Sequence, residues 1–377
     1  MKRRLLLAVP AALAALTPAS APDRDYLVFV ASEATDQIAL IRFGPGGARV
    51  ERTRTVGFNP SEPDGPHGLA VAPDGDAYFV STAHGAPNGY LWKLSARNDA
   101  PLGHVELGAF PASLHVSPDG FYAWVVNFNL YGEHLPSSVS VVSTRDMVEI
   151  ARLETCAMPH GSRLNAAGTR HYSVCMMDDM LVEIDTRELA VSRHFLLSRG
   201  HERGMTGAPS AHTGAGAAAG HGMDAPADTT RCSPTWAVPS RDGSRVYAAC
   251  NASNDIVEID VDRWTRLRRI PARNGIYNLA ITRDGRTLIG TNKRDRSVSL
   301  VDLAAGRELA RIPTRRTVVH GIAISDDDRY AFISVEGYGA EPGTVEIIDL
   351  RTREITASVD VGQMAGGIDF WRSESVR

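Results

Sequence analysis

Three histidines occupy positions that are suited to metal binding or acid–base chemistry. His67 and His160 each stand in a Pro-His-Gly tripeptide, and His320 stands in Val-His-Gly. Neutral imidazole is a common ligand of zinc and copper, and three imidazoles on one ion leave a further coordination position open. Each histidine taken alone is more simply explained as a turn-adjacent residue that is bonded to nearby backbone. The trio therefore predicts a metal or ligand site only if the fold brings the three together.

A segment over residues 198–231 carries a second set of possible metal ligands. It is rich in glycine, alanine and proline, so it has too few large apolar residues to pack a core, and we expect it to be flexible. Its histidines and methionines are His201, Met205, His212, His221 and Met223. Thioethers bind Cu(I) and imidazole binds either oxidation state of copper, so this mixture is similar to the loops of periplasmic copper-handling proteins. The segment favours copper, with zinc as the alternative metal, unless it is only low-complexity filler.

Four cysteines fall into two pairs with nearly the same spacing, Cys156 with Cys175 and Cys232 with Cys250. In an oxidising compartment this spacing favours two disulfides within the pairs. One rival interpretation is thiolate binding of a soft metal such as Cu(I), with Met158, Met176 and Met177 nearby. A cross-pairing also stays open, because four cysteines allow three connectivities.

Internal repetition defines the elements that must position these residues. Each unit has a short apolar strand, a turn of the Asp-Gly kind, a second apolar strand, an alternating strand and a fourth strand. Glycine at the turn supplies the positive φ that a tight hairpin needs. Four antiparallel strands in roughly 40 to 45 residues is the size of a propeller blade. Six such units begin at Pro66, Ala112, Pro159, Pro234, Ile276 and Val319.

A seventh blade is expected from the two ends of the chain. One strand is left over at residues 365–372, and further strands are left over at residues 26–43 and 49–57. Joining them closes the ring and removes open sheet edges. The sequence thus predicts an all-β, seven-bladed β-propeller over residues 22–377, closed by a composite N- and C-terminal blade.

The units around Asp242, Asp284 and Asp327 resemble the YVTN (YncE-like) β-propeller repeat. This resemblance covers nearly all of the mature chain and implies the fold, but it says little about function. Members of the family look like exported binding scaffolds, and similar propellers occur in lactonases, quinoprotein dehydrogenase subunits and haem d1 proteins. The sequence has no Cys-x-x-Cys-His motif, so covalent haem c is not expected.

Alignment of the units gives each residue a place in the ring. His67, His160 and His320 share the first position of the innermost strand and are separated by two, three and two blades, so we expect them to converge over the central channel. Trp236 and Tyr277 flank the channel mouth and are candidates for stacking on a ligand, although ordinary packing also explains them. Each cysteine pair falls on the top side of one blade.

The N-terminus has the pattern of a signal peptide over residues 1–21. Lys2, Arg3 and Arg4 precede a short apolar stretch that ends before small residues, and no later segment is long and apolar enough to span a membrane. We therefore expect a periplasmic or secreted protein. The formal net charge is −4 and no basic patch is evident, so nucleic acid is not an expected partner.

Three functions are consistent with these features. The first is binding of a transition metal, copper above all, through the channel histidines and the His/Met segment. The second is a metal-assisted enzyme at the channel mouth, either a hydrolase or lactonase or an oxidoreductase, with Glu336 as the one acidic residue nominated for catalysis. The third is a protein-interaction scaffold whose loops bind a periplasmic protein partner and which holds no metal. Apart from such a protein, the expected partner is a metal ion or a small molecule at the top face. The sequence contains no Gly-x-Ser-x-Gly motif and no nucleotide-binding loop.

Overall fold

The computed structural model describes residues 21–58, 61–84, 87–209 and 231–376. Residues 1–20 of the expected signal peptide lie outside these ranges, as do His212, His221 and Met223 of the expected flexible segment. Within the described ranges, no helix is long and apolar enough to cross a membrane.

The described residues form seven antiparallel sheets, which are the seven blades of a propeller. The N-terminal strands are β1 (Arg24–Ser32), β2 (Gln37–Gly44) and β3 (Gly47–Thr55). Blade 1 contains β4 (Pro66–Val71), β5 (Ala77–Thr82), β6 (Tyr90–Ser95) and β7 (Pro101–Glu106). Blade 2 contains β8 (Pro111–Val116), β9 (Tyr122–Asn127), β10 (Pro136–Ser143) and β11 (Val148–Ala157).

The remaining blades repeat the same plan. Blade 3 contains β12 (Pro159–Leu164), β13 (Arg170–Cys175), β14 (Met180–Asp185), β15 (Ala190–Leu196) and β16 (Arg203–Thr206). Blade 4 contains β17 (Pro234–Pro239), β18 (Arg245–Cys250), β19 (Asp255–Asp260) and β20 (Thr265–Pro271). Blade 5 contains β21 (Ile276–Ile281), β22 (Thr287–Asn292), β23 (Ser297–Asp302) and β24 (Arg307–Pro313). Blade 6 contains β25 (Val319–Ile324), β26 (Tyr330–Val335), β27 (Gly343–Asp349) and β28 (Glu354–Val361), and the chain ends in β29 (Ala365–Ser375).

Blade 7 closes the ring as the sequence predicts. Its strand order is β29, β1, β2, β3, and β29 pairs antiparallel with β1 from Arg24 opposite Ser375 to Ser32 opposite Ala365. The innermost strands β29, β4, β8, β12, β17, β21 and β25 each contact the next around the ring, so they form the wall of the central channel. The composite blade leaves no unpaired edge between the two ends of the chain.

The core lies between neighbouring blades. Phe29 of blade 7 stacks on Tyr78 of blade 1 with ring centroids 4.3 Å apart, and both side chains are buried. Burial of such aromatic area between sheets supplies the main stabilisation of the ring. At the turns, Gly75 and Gly243 have φ of +73°, which a glycine adopts without strain.

The first part of the expected flexible segment is instead a fifth strand of blade 3. Strand β16 pairs antiparallel with β15, with Met205 opposite His194, and Gly207 donates its backbone N–H to Ser192. The prediction of a flexible, structureless segment is therefore wrong for residues 203–206. The pairing occurs because β15 would otherwise be the outer edge of the sheet. Its unpaired backbone N–H and C=O groups form hydrogen bonds with the returning chain.

The two predicted disulfides are present, Cys156–Cys175 and Cys232–Cys250. No free cysteine remains in the structure, so the thiolate interpretation does not hold. One detail differs from the expectation that each pair lies in one blade. Because β11 continues to Ala157, Cys156 belongs to blade 2, and the first disulfide joins blade 2 to blade 3.

Candidate functional site

The top mouth of the channel is formed by seven equivalent residues, each the second residue of an innermost strand. In every blade the residue two positions earlier has a left-handed backbone, with φ between +43° and +73°. This turn directs the chain from the outer strand of one blade to the channel wall of the next. Val318, a β-branched residue, adopts this conformation at φ +66°, which costs conformational strain. The seven channel residues are His67, Ala112, His160, Thr235, Tyr277, His320 and Gly366.

Hydrogen bonds between blades hold these channel residues in place. At five interfaces, a hydroxyl of one blade donates to the backbone carbonyl of the channel residue in the next blade. The donors and acceptors are Ser81 to Ala112, Ser113 to His160, Thr235 to Tyr277, Thr291 to His320 and Ser334 to Gly366. Between blades 3 and 4 the donor is an imidazole, because Nδ1 of His160 lies 2.7 Å from the carbonyl oxygen of Thr235.

His160 is fully engaged by the protein. Its Nδ1–H donates to Thr235, and its Nε2 accepts a hydrogen bond from the hydroxyl of Tyr277 at 2.9 Å. Burial lowers the pKa of His160 to about 3, so the imidazole is neutral at ordinary pH. Burial raises the pKa of Tyr277 to about 12, so its hydroxyl keeps its proton and remains the donor.

His67 and His320 face each other across the channel mouth. Their ring centroids are 5.7 Å apart and their planes are nearly perpendicular. His320 is buried, and burial lowers its pKa well below the usual value. Its Nδ1 has no hydrogen-bond partner among the described residues, and its Nε2 lies 3.9 Å from Oε1 of Glu336. Tyr277 fills the gap between His160 and His320, with ring centroids 5.3 and 4.9 Å away.

Glu33 is the functional candidate that sequence reasoning missed. It begins a short 3-10 helix (Glu33–Thr35) between β1 and β2, and it is buried. Oε2 accepts from Nδ1 of His67 at 2.8 Å, and Oε1 accepts from Nε2 of His84 at 2.5 Å. Burial by itself raises the pKa of Glu33, but its bonds to the two imidazoles prevail and hold that pKa well below its usual range. The same bond to Glu33 raises the pKa of His84.

A second ring of residues lies at the top of the blades, immediately after each second strand. Glu33, Lys293 and Glu336 occupy this position in blades 7, 5 and 6, so the charged members are neighbours. Nζ of Lys293 lies 2.8 Å from Oε1 of Glu336 and 4.4 Å from the centroid of the Tyr277 ring. Aligning the residue after each second strand, rather than the first residue of each innermost strand, is the signal that finds Glu33 and Lys293.

The opposite side of the mouth is apolar. Phe110, Ala112 and Phe128 form a buried cluster in blade 2, against which Met158 and Met176 of blade 3 pack. Tyr131, which is 76% exposed, contacts Phe110 with ring centroids 5.7 Å apart. The mouth therefore has a charged wall, formed by Glu33, Lys293 and Glu336, opposite an aromatic wall, formed by Phe110, Phe128 and Tyr131. This arrangement is suited to a small organic molecule with polar groups on one side.

Trp236 lies in the channel below this mouth. It lines a small cavity of about 30 Å³ together with His67, His160 and His320, and the guanidinium of Arg163 lies 4.7 Å from its ring. The expected stacking pair is thus divided between two levels, since Tyr277 belongs to the mouth and Trp236 to the cavity beneath it.

The donor set for a metal ion is only partly assembled. His67 and His160 both anchor Nδ1 in the protein, which leaves Nε2 as the coordinating atom, as is common in metal-binding histidines. Nε2 of His160, however, is bonded to Tyr277. Among the described residues, no three histidine, cysteine or carboxylate side chains are arranged around one ion. Met205 lies on β16, four strand spacings or roughly 19 Å from the channel wall, and His201 lies in the turn before it.

Comparison with known proteins supports the fold. No protein-family model matches the sequence, and no curated protein matches it. Among solved structures, the chain is similar to the periplasmic gluconolactonase of Pseudomonas aeruginosa, with 17% identity over 92% of this chain and 99% of that one and a TM-score of 0.68. The fold is that of a β-propeller. A putative 6-phosphogluconolactonase from Bacteroides uniformis is similar at 13% identity, 92% and 99% coverage and a TM-score of 0.66.

A third similar structure is the dihydro-heme d1 dehydrogenase NirN in complex with DHE, at 16% identity over 91% of this chain and 74% of that one and a TM-score of 0.58. At these low sequence identities, the structural similarity shows the fold alone. Membership of the YVTN repeat family stays a prediction.

Proposed function

We propose that this protein is an exported hydrolase of small cyclic esters and that its site is the top mouth of the channel. The observation that carries the proposal is the hydrogen bond between Glu33 and Nδ1 of His67. A carboxylate in that position holds the imidazole in the tautomer whose Nε2 lone pair is free, and it stabilises the imidazolium that forms when Nε2 takes a proton. Sequence reasoning nominated Glu336 instead, and the geometry favours Glu33 as the partner of the base.

The chain's own residues account for each part of a hydrolysis. Nε2 of His67 takes a proton from water while the water oxygen bonds to the ester carbonyl carbon. The positive charge that stabilises the resulting oxyanion comes from Lys293, which is the ammonium group on the charged wall of the mouth. When the ring C–O bond breaks, His67 returns the proton to the leaving oxygen, and the product is a hydroxy acid.

Several features support a cyclic ester of a polar compound as substrate. The charged wall suits hydroxyl groups, and the aromatic wall at Phe110 and Tyr131 suits the apolar face of a sugar ring. One protein of the same fold is named a periplasmic gluconolactonase. Export is supported by the signal-peptide pattern and by two disulfides, which persist in oxidising compartments.

Hydrolysis of glucono-δ-lactone by the Glu33→Gln variant tests this function. We expect kcat/KM to fall about 100-fold or more, since a base whose orienting carboxylate is replaced by an amide is held in the wrong tautomer. His134→Gln is the matched control, because His134 is a top-face histidine that pairs with Asp178 outside the cluster, and it should keep the activity. Equal rates in wild type and Glu33→Gln, or no turnover of this lactone or a panel of related lactones by wild type, would refute the proposal.

Binding of a transition metal, copper above all, is a second candidate function. The observation that favours it is the pair His67 and His320, since Nε2 of the first and the unpartnered Nδ1 of the second are available donors at the same mouth. Binding by His160 as well requires the Tyr277 hydroxyl to turn away from Nε2. Should Cu(I) and thioethers matter, Met205, Met223 and the histidines of residues 198–231 would supply a second set of ligands in addition to the channel histidines.

Metal analysis separates the two candidate functions. If the mouth binds copper, purified protein loaded with copper should lose one equivalent when His67, His160 and His320 are replaced together by Gln. Deleting residues 207–229 takes out His212, His221 and Met223, and it should remove only the copper that depends on these three residues. A stoichiometry that neither change affects would rule out both metal sites, and lactone turnover that survives a chelator would favour the metal-free hydrolase.

A further inference from the structure

Three arginines lie at the bottom mouth of the channel, on the face opposite the histidines. Arg163 belongs to β12, Arg241 to the turn between β17 and β18, and Arg283 to the turn between β21 and β22. Together they line a cavity of about 490 Å³. Among the described residues that line this cavity, Asp369 is the only carboxylate. Arginine therefore sets the charge of this mouth.

Arg163 forms the inner end of the cavity. It lines both the lower cavity and the small cavity beneath the histidines, so it stands at the middle of the channel. Its guanidinium donates to the carbonyl of Ser162 at 2.8 Å and packs 4.7 Å from the Trp236 ring. Within the described part of the chain it makes no ion pair. Burial lowers the pKa of Arg163 to about 10, which still leaves it charged at neutral pH.

Arg241 and Arg283 form the rim of the cavity. Each precedes the aspartate of an Asp-Gly turn, where blades 1 to 3 have Pro73, Pro118 and Ala166. Arg241 donates to the carbonyls of Ile281 and Thr282, and neither arginine has an ion pair among the residues described. The nearby carboxylate of Asp328 accepts the backbone N–H groups of Arg283 and Asp284.

The two remaining polar groups of the cavity cancel at most one of these three positive charges. Asp369 accepts backbone N–H bonds from Val71 at 2.8 Å and from Phe370 at 2.9 Å, and burial raises its pKa. His115 accepts the N–H of Leu164 at Nδ1, so its proton sits on Nε2, and this nitrogen is a further neutral donor. Arg163 is half-buried in the channel, whereas Arg241 and Arg283 are exposed at its rim. Three guanidinium groups that line one cavity with a single carboxylate repel one another, and an anion bound between them compensates their charge.

We propose that the bottom mouth binds a small oxyanion, a phosphate or a carboxylate, between Arg163 at its inner end and Arg241 and Arg283 at its rim. The planar fork of a guanidinium matches two oxygens of such a group, and the low dielectric of the channel strengthens the bonds. This site is separate from the proposed hydrolase, because it lies on the opposite face and shares none of its residues.

Calorimetric titration with inorganic phosphate, and with citrate as the carboxylate probe, tests the site at constant ionic strength. Wild type should bind at least one of these anions, and Arg283→Gln should weaken that binding about tenfold, the effect of losing one charged hydrogen bond. Arg283→Gln is chosen because no contact in the described structure depends on its guanidinium. Arg145→Gln removes the same charge from a side chain that is 91% exposed elsewhere, and it should bind like wild type.

Two further variants show whether the anion binds at the bottom mouth and whether this binding is independent of the top mouth. Glu33→Gln should bind the anion as wild type does, since the two mouths are independent. Arg163→Gln should abolish binding, and its circular dichroism and thermal midpoint show whether it is folded. If wild type binds neither anion, or if Arg145→Gln weakens binding as much as Arg283→Gln does, the proposed anion site does not exist.

Discussion

The hydroxyl of Tyr277 donates a hydrogen bond to Nε2 of His160, from a blade two positions further around the ring. The bond crosses part of the channel mouth and joins residues that are 117 positions apart in sequence. With Nδ1 bonded to Thr235, His160 connects blades 3, 4 and 5. One of the three channel histidines therefore has a structural role in the ring.

Replacing Tyr277 by phenylalanine tests that role. The change leaves Nε2 of His160 buried without a partner, so we expect the free energy of unfolding to fall by about 1–2 kcal/mol. Urea denaturation followed by circular dichroism measures the difference. Tyr338→Phe is the control, because Tyr338 is 78% exposed, and its loss of a hydroxyl should leave stability unchanged. Equal stabilities for Tyr277→Phe and wild type would mean that the bond contributes nothing.

The pair Glu33–His84 predicts a specific pH dependence. The hydrogen bond to Glu33 raises the pKa of His84 above its usual value of 6.5, so this imidazole binds its proton more tightly in the folded protein. The resulting stabilisation is fully present below pH 6.5 and is lost as the pH rises through the folded pKa. NMR titration of His84 should show a raised pKa that returns toward 6.5 in Glu33→Gln. An unchanged titration in that variant would contradict the pairing.

His171 is a buried histidine whose replacement should stabilise the protein. It is stacked on Trp124 at 5.0 Å, and neither ring nitrogen has a hydrogen-bond partner among the described residues. His171→Phe keeps the stacked ring and removes two unsatisfied polar atoms, so we expect a gain of about 1–3 kcal/mol in the free energy of unfolding. Trp124→Leu serves as the contrasting variant, since loss of the stack should destabilise. A loss of stability in His171→Phe would show that its nitrogens are satisfied.

Because of His171, we also expect the protein to lose stability at low pH. Burial lowers the pKa of His171 to about 3, against 6.5 in the unfolded chain. Because the unfolded state then binds the additional proton, stability falls as the pH drops from 6.5 toward 3. Between these values His171→Phe should lose less stability than wild type in urea denaturation, and parallel losses in the two proteins would contradict the assignment.

The disulfides predict a measurable loss of stability on removal. Each closes a loop of nearly the same length, so replacing either pair by serine should cost about 3 kcal/mol in the free energy of unfolding. The Cys156/Cys175 double variant should also loosen the contact of blade 2 with blade 3, and hydrogen exchange in β11 and β12 measures this. Unchanged protection there would show that the disulfide does not hold the two blades together.

The fold was predictable because its information is local and repeated. Each unit carries its own Asp-Gly turn and strand pattern, and the leftover strands at both ends account for blade 7 without further knowledge. The strand β16 was not predictable, because the four residues Arg203–Thr206 are too few to show an alternating strand pattern. They pair only because β15 presents an open edge at that place, which is a property of the assembled sheet.

The site was predictable only in part. The register of His67, His160 and His320 follows from the repeat, and so does their place around the channel. Their roles depend on atoms that the repeat does not specify, such as the carbonyl of Thr235 beside His160. Glu33 was not predicted from the sequence because it lies in the composite blade, where no complete repeat unit is available to align with the others.

The most direct test of the proposed hydrolase is the rate of glucono-δ-lactone hydrolysis by chelator-treated His67→Gln, compared with chelator-treated wild type. If His67 is the base that Glu33 orients, wild type keeps its activity without metal, and the variant loses about 100-fold or more in kcat with a similar KM. An undiminished kcat in His67→Gln would contradict the account.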